Sequence, residues 1–176
     1  NTISSSRYTP PPSPTPIPPM QIDQNSEWKT LEDNTFIRYA FSYPEKGLLV
    51  KEIPGLRNKG VSNTGFSSEF KPGFFDVIVN PLNLENNIDK NDIANIGIIN
   101  VTSTKTTKLG GKKAVRVLGI DHNISSVKRL AYEVMELNID GVDKKWGFAF
   151  GCYFMPDGKT NFEDLCDKIA ATFKFE

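Results

Sequence analysis

Histidine occurs once in 176 residues, as His122, and cysteine twice, as Cys152 and Cys166. One histidine excludes a multi-histidine metal site and leaves any catalytic triad with a single possible base. Two cysteines are too few for a disulfide-rich scaffold, and a core drawn from about 150 residues needs none. Net charge is also missing, since Lys plus Arg and Asp plus Glu both number 21. Nucleic acid and anionic membranes both require a basic footprint, so neither is expected as the main partner. Long apolar runs are absent, and with them any signal segment or membrane span. The chain starts at Asn1 without a start methionine, so the expectation is a mature or trimmed product whose leader has been removed.

Proline is concentrated at one end. Residues 1–26 hold Ser4, Ser5 and Ser6, then seven prolines from Pro10 to Pro19, with little to bury. Such a segment populates polyproline II, about 3 Å per residue, and reads as a disordered tether to a single folded domain at 27–176. P-x-x-P steps at Pro11/Pro14 and Pro16/Pro19 fit a ligand for proline-binding domains. Arg7, the nearby basic residue, stands out of register for that role.

The clearest periodic signals lie near the C-terminus. Residues 127–139 and 144–155 are β-favouring and flank Asp140-Gly141, which predicts a hairpin. In the second strand Trp146, Phe148, Phe150, Cys152 and Phe154 share one face, opposite Gly147, Ala149, Gly151 and Tyr153. This predicts a central strand with something packed closely on its flat side. A turn at Pro156-Asp157-Gly158 leads to a helix, with Thr160 and Glu163 as its capping box and Phe162, Leu165, Cys166, Ile169 and Phe173 as its buried stripe. Upstream, short strands are predicted at 27–32, 36–43 and 48–53, a loop at 57–64, strands at 66–70 and 74–79, an amphipathic helix at 82–96, and a second hairpin at 98–108 and 112–120 around Gly110-Gly111. The four long strands follow one another through short links and should be antiparallel neighbours.

Candidate chemistry is sparse. Gly158-Lys159-Thr160 resembles the end of a phosphate-binding loop, but the first glycine of that motif would fall at Tyr153, so the turn reading takes over. His122 lies between strands beside Ser125 and Ser126, with no spacing that supplies a nucleophile elbow. Asp140 with Asp143, and Asp157 with Glu163 and Asp164, have ordinary roles at a turn and at a helix N-terminus, and the second set lacks calcium-loop spacing. Cys152 lies roughly 10 Å back from the strand end and Cys166 roughly 8 Å into the helix. At matching depths they are either a disulfide from helix to sheet or two buried thiols. Phe66, Phe70, Lys71, Phe74 and Phe75 surround the Lys71-Pro72-Gly73 loop and form either a contact surface or part of the core.

The Phe41-Ser42-Tyr43-Pro44 segment, the Gly110-Gly111-Lys112-Lys113-Ala114 turn and strand, and a last helix closing on Ala171-Thr172-Phe173-Lys174-Phe175 resemble the PsbP-like or Mog1-like α/β sandwich domains of exported bacterial proteins and lipoproteins. The resemblance covers most of residues 28–175. It implies an α+β fold, a two-layer or three-layer α/β sandwich on a twisted, mainly antiparallel sheet, and a non-catalytic binding or assembly module with no cofactor. It also implies an extracytoplasmic place, periplasmic or at the cell surface, with membrane attachment only through the tether and an anchor upstream of Asn1. The expected partner is a cell-envelope protein, and the folded domain is expected to be monomeric. Two alternatives stand beside this reading: a secreted hydrolase-like enzyme with a pocket near His122 and the Asp140 turn, and a cytosolic Mog1-like adaptor for a small GTPase.

Overall fold

In the computed structural model, residues 21–52, 59–63, 70–83, 98–138 and 146–176 are described. Ten strands and one helix follow in the order β1 (Trp28–Asp33), β2 (Tyr39–Pro44), β3 (Leu49–Glu52), β4 (Lys59–Ser62), β5 (Phe75–Asn83), β6 (Ile98–Leu109), β7 (Lys112–Asp121), β8 (Lys128–Leu137), β9 (Trp146–Phe154), α1 (Phe162–Ala171) and β10 (Lys174–Phe175). They form a seven-stranded sheet, β3-β4-β5-β9-β8-β7-β6, and a three-stranded sheet, β1-β2-β10. Every pairing is antiparallel.

The large sheet is built on β9, as its alternation predicts. Phe148, Phe150, Cys152 and Phe154 lie in the main core, where β5 and β8 add Phe75, Val77, Leu130 and Val134 on the same face. On that face α1 and the small sheet dock through stacked rings: Phe41 and Phe173 have centroids 5.9 Å apart, and Phe75 and Phe162 5.5 Å. Rings in such offset and edge geometries contribute beyond their buried area. Asp167 fastens α1 further by accepting two bonds from the Arg116 guanidinium, at 2.9 and 3.1 Å, and one from the Tyr132 hydroxyl.

Sequence details explain several local choices. Gly110 and Gly111 both have positive φ, at 53° and 79°, as a tight hairpin turn requires. Pro81 sits in β5 without breaking the sheet, because β4 pairs only with residues 76–78 and Pro81 has a neighbour on one side alone. A bulge in β6 between Ile99 and Ser103, with Asn100 at φ 48°, bends the strand over Gly119.

The fold departs from expectation in four places. It is richer in sheet than an α/β sandwich, with one short helix among the described residues, and the sheet is divided in two. Residues 59–62, read as loop, form β4, and the chain end forms β10, because partners on neighbouring strands complete segments too short to signal alone. Asn161 caps α1 in place of Thr160, accepting from the Asp164 amide at 3.2 Å, since Thr160 is already engaged by Asp157. Residues 21–26, placed in the tether, form a turn against the domain: the Asp23 amide donates to Lys46 O, and Ile22 packs on the core. Of the candidate helix at 82–96, Leu82 and Asn83 are strand, the end of β5, and its remainder lies outside the described residues, as do residues 1–20, residues 66–69 of the candidate strand at 66–70, and the Asp140-Gly141 turn.

Candidate functional site

Three arrangements bear on function. The first is the staple between β9 and α1. Alternation along β9 turns Cys152 into the core, and the helical stripe turns Cys166 to meet it. The two are joined, with Cα atoms 6.1 Å apart and neither side chain exposed.

The second is an open cleft of about 740 Å³ at the end of the molecule where β10 joins β2. Its wall carries Phe36, Arg38, Lys112, Leu137 and Phe175. Phe36 is 45% exposed and stands edge-on to Trp146, with centroids 4.8 Å apart. Phe175 is held against Phe148 and lies so near the hairpin turn that a Cβ on Gly110 would come within 2.7 Å of its ring. Glu176 lines it too, so the cleft joins aromatic walls to charges of both signs. A smaller cleft of about 310 Å³ lies by Ile22, Gly73, Asp157 and Lys159. There Asp157 is occupied by the amides of Lys159 and Thr160, at 2.8 and 2.7 Å.

The third is the face of the large sheet turned away from α1. Asp76, Tyr153 and Arg129 are cross-strand neighbours there, and Glu133 stands opposite Ala149. The Arg129 guanidinium lies 4.8 Å over the Tyr153 ring, beside the space that Gly151 leaves open. Asp76 and Glu133 are each 2% exposed. Burial pushes the Asp76 carboxyl up to about 6, against the opposing pull of Ser62 and Lys51. It pushes Glu133 up to about 8, against the charge of Arg129. Glu133 therefore holds its proton at neutral pH, whereas Asp76 gives its proton up as pH rises past about 6. Sequence reading missed them: the small residues of β9 signalled close packing, but carboxylates on the polar side of an alternating strand look solvated.

The predicted residues separate. Phe74 and Phe75 are 3% and 0% exposed and belong to the core, so they form no contact surface. Phe70 is 41% exposed, edge-on to Phe74 at 4.8 Å, and Lys71 is exposed, whereas Phe66 lies outside the described residues. His122 is exposed in the β7–β8 turn and lines neither cleft. Its neighbour Asp121 accepts from the amides of Asn123 and Ile124, so it is committed to the turn rather than to the imidazole.

The chain matches no protein-family model and no curated protein. It is similar to the solution structure of cyanobacterial PsbP (CyanoP) from Synechocystis sp. PCC 6803, at 14% identity and a TM-score of 0.49, covering 86% of this chain and 94% of that one. A likeness of this extent describes the path of the backbone and says nothing of ligand or partner.

Proposed function

We propose that the chain is a non-catalytic binding or assembly module that works outside the cytoplasm and is held off a membrane by its Pro/Ser-rich N-terminal segment, as in a lipoprotein. The observation that carries this reading is the Cys152–Cys166 bond, which uses both cysteines of the chain. Such bonds persist in oxidising compartments and are rare where thiols are kept reduced. The polyproline composition of the N-terminal segment supports the tether, and the aromatic cleft with its charged rim supports binding. Among the described residues His122 lines neither cleft, and the Asp140 turn that the hydrolase reading pairs with it lies outside them.

The test is to fractionate cells producing the full-length protein and to count free thiols in denaturant. Recovery in the envelope, with two thiols appearing only after reduction, is the expected result. Soluble cytosolic protein with both thiols free overturns the reading and favours a cytosolic adaptor.

A further inference from the structure

The free edge of the large sheet is β6, and its composition is unlike that of the rest of the chain. Among the described residues it pairs with β7 alone, so one side of a 12-residue strand presents backbone donors and acceptors with no ladder partner. Residues 99–106 are exposed throughout, including Ile99 at 39% and Val101 at 44%. Sheet edges of this length are ordinarily shortened, bulged, interrupted by proline, guarded by lysine or covered, and a lysine guard repels every strand except an acidic one. Here the bulge disturbs only the first part, leaving residues 103–109 regular, β-branched and free of proline.

Charge gives a second, independent signal. Residues 98–120 contain Lys105, Lys108, Lys112, Lys113 and Arg116 and no Asp or Glu, in a chain whose net charge is zero. The register sets Lys108 directly opposite Lys113, and Lys105 opposite Arg116. Like charges facing each other across a ladder are destabilising. Arg116 has Asp167 as its counter-charge, but among the described residues the four lysines have no ion pair. At the end of the hairpin Lys112 continues this charge into the cleft with Arg38.

We propose that β6 is a strand-addition site for an extended, acidic segment of a partner protein, which pairs with residues 103–109 and sets carboxylates beside Lys105 on one face of the sheet and beside Lys108 on the other. Strand addition draws affinity from main-chain bonds and specificity from the side chains on either face. Two other occupants fit less well. A second copy of β6 would bring its own lysines against these, and the prolines of residues 10–19 lack the N–H groups that a strand needs. The inference rests on the assembly reading and supplies its partner chemistry.

The test uses the full chain and a fluorescent eight-residue peptide of two Glu-Glu-Thr-Thr repeats, which carries carboxylates on both faces of an added strand, followed by anisotropy. Two further peptides carry N-methyl groups at alternate residues, one in each phase. Binding of the parent is expected, with about tenfold weakening or more in one N-methyl phase and in the protein variant Lys105→Glu/Lys108→Glu. Hydrogen exchange should show new protection in residues 103–109 and none in β3. Equal binding of the parent and both N-methyl peptides overturns the proposal in favour of charge alone. Absence of binding overturns it too, as does a dimer in solution whose β6 amides are protected without peptide. These outcomes leave the location and thiol results untouched, so failure here is distinguishable from failure of the assembly reading.

Discussion

Cys152 and Cys166 show how far a single residue's place can be read from pattern. Strand alternation set the face of one, helical periodicity set the face of the other, and the turn between them set equal depths, yet only the docking angle of α1 decided between a bond and two thiols. Closing a loop of this sequence separation, 14 residues, is worth about 3 kcal/mol in the chain-entropy account. Urea unfolding with and without reductant should show a loss of that order, and Cys152→Ala/Cys166→Ala should match the reduced protein. Glu133 is the opposite case, because nothing in its neighbours along the chain reveals that it is buried. Its carboxyl, ordinarily near 4.5, is pushed up to about 8 by burial. Between these values the unfolded chain releases the proton and the folded chain keeps it, so stability falls as pH rises and levels off above 8. Asp76 behaves likewise between 3.8 and about 6. Glu133→Gln should flatten the slope between pH 6 and 8 in urea titrations and reduce it below 6 to the part that Asp76 supplies.

At the scale of elements, the long strands and the short β1, β2 and β3 were legible, whereas β4 and β10 were not. β7, β8 and β9 carry enough alternating or continuous apolar residues to announce themselves, whereas β4 and β10 are 4 and 2 residues long and are strands because β3, β5 and β2 complete them. The same dependence on partners holds for α1. Its stripe predicted burial, but its attachment to β7 and β8 through Asp167 joins residues 35 and 51 positions apart in sequence. Asp167→Ala should cost about 1–2 kcal/mol, the exposure of the carboxylate keeping the value modest, and Tm or urea midpoints would measure it. Gly119 joins two elements by close approach. A Cβ there would lie 2.4 Å from Ile98 Cγ2 and 2.9 Å from Ile99 O, so the β6 bulge would have to move. Gly119→Ala should destabilise by about 1–3 kcal/mol, with hydrogen exchange rising first in residues 98–101.

At the scale of the whole molecule, residues 21–26 pack with the folded domain, which composition began at residue 27. Gly47 passes so close to Gln21 that a Cβ would meet its carbonyl oxygen at 2.5 Å, and Ile22 packs on the core. Removing residues 1–20 should therefore leave the unfolding midpoint unchanged, whereas removal through residue 26 should lower it, as thermal melts of the two truncated chains would show. By itself the sequence determined the local quantities: which face of β9 is large and which small, where the β6–β7 hairpin turns, and which stripe of α1 is buried. These depend on period and on turn chemistry, which act between residues close in the chain. Only the tertiary structure decided the division into two sheets, the closing of the disulfide, the burial of Asp76 and Glu133, and the exposure of the basic β6 edge. Each of these depends on what lies across from a residue rather than beside it, and that neighbour is chosen by the packing of distant segments into a common core.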